Sequence, residues 1–88
     1  MAHYTELTNR ILQLRSLLNG AGDQTFEFFD EFLREYEFDL ALLVVCDFLI
    51  DSPTARISTS TLNKIHDLHE EFRLEDECVT KLEEKLQK

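Results

Sequence analysis

Two glycines, at 20 and 22, and one proline, at 53, are all that interrupts this chain of 88 residues. Strong helix formers fill the rest, and no useful stretch alternates apolar and polar residues with the period of two that a strand needs. The sequence therefore predicts an all-α fold. A chain of this size hides about 60 to 65% of the surface that its unfolded form exposes. That is enough for one core, so a single helical domain over residues 1–88 is expected, with no cleft between domains.

The apolar spacing predicts about five short helices. The first runs from about Tyr4 to Leu18, with Leu7, Ile11, Leu14 and Leu18 on one face, and ends at Asn19 and Gly20. The second starts near Asp23 or Thr25 and carries Phe26, Phe29, Phe32, Leu33 and Tyr36 on one side. The third, about Phe38 to Ile50, is apolar around most of its circumference, which places it in the middle of the bundle. Asp51, Ser52 and Pro53 stop it. The hydroxyl run Ser58 to Thr61 then offers caps for a fourth helix built on Leu62, Ile65, Leu68 and Phe72. A fifth, about Asp76 to Leu86, uses Val79, Leu82 and Leu86.

The charge is uneven. The chain carries a formal net charge of −9. Residues 23 to 51 hold Asp23, Glu27, Asp30, Glu31, Glu35, Glu37, Asp39, Asp47 and Asp51 against Arg34 alone, whereas residues 1 to 22 hold Glu6 against Arg10 and Arg15. An excess of acid disfavours partners held through phosphates, so neither nucleic acid nor an anionic membrane is expected. The longest apolar run, Leu40 to Cys46, is far shorter than the ~18 residues of a membrane span. With 43% hydrophobic residues and nine aromatics, the chain is too apolar for a disordered acidic tail. Cys46 and Cys78 lie among apolar residues, which suits buried, reduced thiols and a cytoplasmic protein, with a disulfide between them as the minority reading.

On the wheel of the second helix, Glu27, Asp30, Glu31 and Glu35 share the arc opposite the phenylalanines, with Arg34 their only neutralising neighbour. Like charges three and four apart disfavour a helix by a few tenths of a kcal/mol per pair, so helix propensity does not explain them. A basic partner does, although solvation alone also populates such faces. Phe28, at the edge of the apolar arc beside Glu35, reads either as core edge or as an anchor rimmed by carboxylates.

Other constellations carry less. His66 and His69 stand three apart, but His69 falls within an apolar stripe and no third ligand is indicated, so no metal is assigned. With glycine only at 20 and 22, no phosphate-cradling loop can be written, and no cofactor is expected. Asp51-Ser52-Pro53 lacks the leucine and the helix start of a phosphopantetheine attachment site, and Ser52-Pro53 reads as a helix stop. The carboxylates lie on outward faces rather than in a sheltered pair, so an enzyme is not expected.

The stretch Glu35-Tyr36-Glu37-Phe38-Asp39-Leu40-Ala41-Leu42, followed by Cys46-Asp47 and Leu49, resembles the central signature of MafI-type bacterial immunity proteins. Pro53, the Ser58 to Thr61 helix start and the Arg73-Leu74-Glu75-Asp76 turn continue the likeness, which covers about residues 25 to 80; within the signature Tyr36 to Asp39 reads as a tight corner into the buried helix, and Ala41 as the small residue that permits close approach. The chain differs in its Phe-rich second helix and in Val44-Val45. The resemblance implies a cytoplasmic antidote that binds a secreted or contact-delivered toxin, often a basic nuclease and here expected to be a ribonuclease, and blocks its active site. The residues expected to meet such a toxin are Glu27, Phe28, Asp30, Glu31, Glu35, Glu37 and Asp39. The alternative is an acidic adaptor or regulatory module that binds another basic protein or self-associates as a homo-oligomer.

Overall fold

The computed structural model describes residues 2–52 and 57–87. They form five α-helices, α1 (Ala2–Leu12), α2 (Asp23–Arg34), α3 (Phe38–Asp51), α4 (Thr59–Glu71) and α5 (Cys78–Gln87), with a 3₁₀ turn at Arg15–Leu18 between α1 and α2. No strand occurs among the described residues, so the bundle is all-α as the sequence predicts. The expected Pro53 loop lies outside the described residues.

One apolar stripe builds two elements where a single first helix was expected. After Leu12 the hydrogen bonding tightens from four residues to three, with Leu14 N–H donating to Ile11 and Leu17 N–H to Leu14. The 4, 3, 4 spacing of Leu7, Ile11, Leu14 and Leu18 suits both windings, and all four side chains are buried. The turn then leaves through Gly20, whose φ of 94° is the left-handed conformation glycine adopts freely.

α2 starts on Gly22, extended and without a side-chain cap, and has Asp23 in its first turn, where a negative charge suits the helix dipole. It stops in a Schellman turn: Glu37 N–H donates to the Phe32 carbonyl at 2.8 Å and Tyr36 N–H to that of Leu33 at 3.2 Å. Tyr36 occupies the left-handed position of that turn with φ of 58°, a place usually taken by glycine and costing another residue of order 1 kcal/mol. α4 ends the same way, with Arg73 at φ of 56° and Leu74 N–H donating to the His69 carbonyl.

α3 is the axis of the bundle and touches every other element. Phe38, Ala41, Leu42, Val45, Cys46 and Leu49 are buried, and the small side chain of Ala41 lets neighbouring helices come close. Burial is less complete around the rim than the sequence implies, because Leu40 is exposed and Leu43, Val44, Phe48 and Ile50 are half-buried. The end of α3 is closed from outside: Lys85 of α5 donates to the carbonyls of Leu49 and Ser52, orphan acceptors of the last turn.

The fourth helix begins as expected, Ser58 Oγ accepting from Thr61 N–H at 3.1 Å. Asp76 stands two residues before α5; its Oδ1 accepts from Cys78 N–H at 2.9 Å and meets His69 Nε2 at 3.0 Å. Burial pushes the Asp76 carboxyl up, but the hydrogen bonds from His69 and from Cys78 outweigh it, so it sits below the ordinary carboxylate range.

The reading of two free thiols is corrected. Cys46, in the middle of α3, and Cys78, at the start of α5, form a disulfide with Cα atoms 6.2 Å apart. Both fall among apolar residues because the pair lies within the core where α3 and α5 cross, so apolar surroundings did not distinguish a bonded pair from separate thiols. The compartment no longer follows from the cysteines. No helix of the described residues is long and apolar enough to cross a membrane.

Candidate functional site

The outward side of α2 and the corner into α3 bring six of the seven singled-out residues to the surface. Glu27, Glu31 and Glu35 follow one another at four-residue spacing along α2 and are exposed, with Phe28 46% exposed beside them. Among the rings of α2, Phe29 is buried and Phe26 and Phe32 are packed against the core, while Phe28 is the exposed one. Glu37, the residue before α3, and Asp39, whose Oδ1 accepts from Leu40 N–H at 2.9 Å, continue the acidic surface around the corner. Among the described residues, none of Glu27, Glu31, Glu35, Glu37 and Asp39 forms an ion pair.

Asp30 differs. Arg15, from the 3₁₀ turn, meets it with Nε at 2.9 Å from Oδ1 and Nη2 at 3.0 Å from Oδ2, and the same guanidinium lies 4.8 Å from the centre of the Phe26 ring. The hydrogen bonds from Arg15 hold the Asp30 carboxyl below its ordinary range. Arg34 is thus not the only neutralising neighbour of this face. Arg15 lies in a segment that the helical wheel of α2 does not include, so the wheel could not reveal it.

The corner also holds what the sequence placed in the core. Tyr36, assigned to the buried side of the second helix, is 61% exposed, because α2 ends before it and the left-handed turn carries its ring off the helix face. The ring stacks on Tyr4 of α1, centroids 5.3 Å apart and planes within 10°, and both rings pack against the buried Phe38, which stacks in turn on Phe72 of α4.

Elsewhere, His66 is half-buried and lies 3.4 Å from Glu70, whereas His69 turns inward to Asp76. Three metal-ligating side chains converge nowhere among the described residues. Between α3 and α5 a shallow hollow of about 270 Å³ is lined by Leu43, Asp47, Ile50, Asp76, Glu77, Cys78 and Lys81. The acidic surface presents exposed carboxylates around exposed aromatic carbon.

No known protein family, curated protein or solved structure matches the chain.

Proposed function

We propose that this chain is a non-catalytic binding protein that neutralises a basic toxin domain, acting as an immunity protein through the acidic surface of α2 and the corner into α3. The toxin is read as a nuclease, with a ribonuclease favoured, because a nuclease binds phosphates and presents positive charge where an acidic protein can dock. The observation that carries this reading is the row Glu27, Glu31, Glu35, Glu37 and Asp39, exposed and unpaired among the described residues, around the exposed Phe28. The resemblance of residues 35 to 49 to MafI-type immunity proteins supplies the biological setting.

Inhibition of this kind needs no chemistry. A surface of about 800 Å² per partner is sufficient for a stable complex. The unpaired carboxylates accelerate encounter and orient it, while buried aromatic contacts hold the complex together. The cytoplasmic assignment rests on the immunity reading alone, since an antidote must be present where the toxin cuts.

The test is co-expression with the product of the adjacent upstream gene, followed by copurification and nuclease assay. The reading predicts a stoichiometric complex whose nuclease activity appears only when this chain is removed. A neighbouring product that is not toxic, or a toxin that stays active in the presence of this chain, overturns it.

A further inference from the structure

Tyr36 is the most exposed large apolar side chain among the described residues, at 61%. It is also held from behind. Tyr4 lies parallel to it at 5.3 Å, and Phe38 backs both rings at 6.0 and 6.1 Å. A ring fixed in this way loses little freedom on binding, which makes it a better anchor than an aromatic that must be ordered by its partner. Leu40 adds exposed apolar carbon less than two helical turns further on.

The neighbours of this ring define what it can accept. Glu35, Glu37 and Asp39 alternate with Tyr36, Phe38 and Leu40 through the corner, and all three carboxylates are exposed. A neutral apolar ligand covering Tyr36 leaves those charges desolvated without partners. An anion is repelled. An ammonium group carries a tightly bound hydration shell and offers no flat face. A guanidinium stacks on an aromatic face, is weakly hydrated, and presents a planar fork of donors to carboxylates beside the ring.

We infer that the Tyr36 corner seats an arginine side chain of a basic protein partner, its guanidinium against the Tyr36 ring and its donors toward Glu35, Glu37 and Asp39. The partner's class rests on the proposed function; the preference for arginine rests on the corner itself. Phe28 lies within α2 and the seat beyond the C-terminal end of that helix, so the two form separate contact points of one surface.

The test uses the full chain labelled with ¹⁵N and titrated at low ionic strength with tetra-arginine, with tetra-lysine as the comparison. Amide shifts are expected to centre on residues 35 to 40, with tetra-arginine binding about tenfold more tightly than tetra-lysine. Tyr36→Gly is expected to weaken the arginine peptide about fivefold to tenfold, while the thermal midpoint stays within about 5 °C because glycine suits a φ of 58°. Tyr36→Phe is expected to bind as the parent does. Equal affinity for the two peptides, or shifts centred on Glu27 and Glu31, overturns the seat whether or not any variant folds. If toxin neutralisation survives Tyr36→Gly and the two peptides bind alike, the seat fails and the immunity reading stands. If tetra-arginine binds at the corner but the neighbouring gene product is not inhibited, the seat stands and the immunity reading fails.

Discussion

Arg15 grips Asp30 with two parallel hydrogen bonds, Nε to Oδ1 at 2.9 Å and Nη2 to Oδ2 at 3.0 Å, and so ties the 3₁₀ turn to α2. Of the seven residues singled out on this surface, Asp30 is the one that forms an ion pair among the described residues. Asp30→Ala is expected to lower the thermal midpoint and to slow association with a basic partner less than Glu31→Ala does. Thermal melts and association rates of the two variants check this; a larger kinetic effect from Asp30 contradicts it.

Acid should loosen the fold at two named places. The Asp30 carboxyl is held down first by its hydrogen bonds from Arg15, and the Asp76 carboxyl by His69 and Cys78 N–H against the opposing effect of burial. A carboxyl whose folded-state pKa is depressed contributes stability that is complete above its unfolded value of about 3.9 and is lost as pH falls through the folded value. Denaturant midpoints measured from pH 6 to pH 2 are expected to fall below about pH 4. Asp76→Asn is expected to flatten that fall, because the amide can still accept from Cys78 N–H but does not titrate.

Phe28 and Phe29 are adjacent in sequence and opposite in consequence. Phe29 is fully buried, so Phe29→Ala is expected to destabilise the protein by about 3 to 5 kcal/mol. Phe28 is 46% exposed and outside the core, so Phe28→Ala is expected to change stability by less than about 0.5 kcal/mol. In the proposed complex Phe28→Ala should weaken binding by at least about 1 kcal/mol. Urea melts and titration calorimetry separate the two effects.

The disulfide joins residues separated by 32 positions and closes α3 onto α5. Chain-entropy arguments give a link of that span about 3.5 kcal/mol. Reduction, or Cys46→Ala with Cys78→Ala, is expected to lower the stability by an amount of that order while leaving the α2 surface folded. Denaturant unfolding with and without a thiol reductant measures it, and intact mass before and after reduction reports the two hydrogens gained.

The elements were legible because each helix announces itself by apolar spacing, and α3 by being apolar nearly all round. Ser58 was legible as a cap because its hydroxyl reaches the Thr61 N–H wherever a helix begins there. What escaped were relationships between segments. The wheel of α2 holds Asp30 but not Arg15, and the disulfide partners lie in different helices. Tyr36 escaped for a local reason: periodicity assigns a face to every residue until the helix ends, and the left-handed turn that ends α2 has no glycine to mark it. The acidic surface survived largely as read because outward carboxylates depend on helix phase alone.

Association kinetics test the central claim most directly. With the purified neighbouring toxin domain as partner, the parent chain and Glu27→Lys/Glu31→Lys/Glu35→Lys are compared in stopped flow from about 20 to 500 mM salt. The account predicts that the parent's association rate falls steeply as salt rises, and that the triple variant associates at least tenfold more slowly at low salt with a nearly flat or inverted dependence. Equal rates and equal salt slopes for the two proteins contradict it, because a docking surface made of these carboxylates cannot have its charge reversed without the partner sensing it.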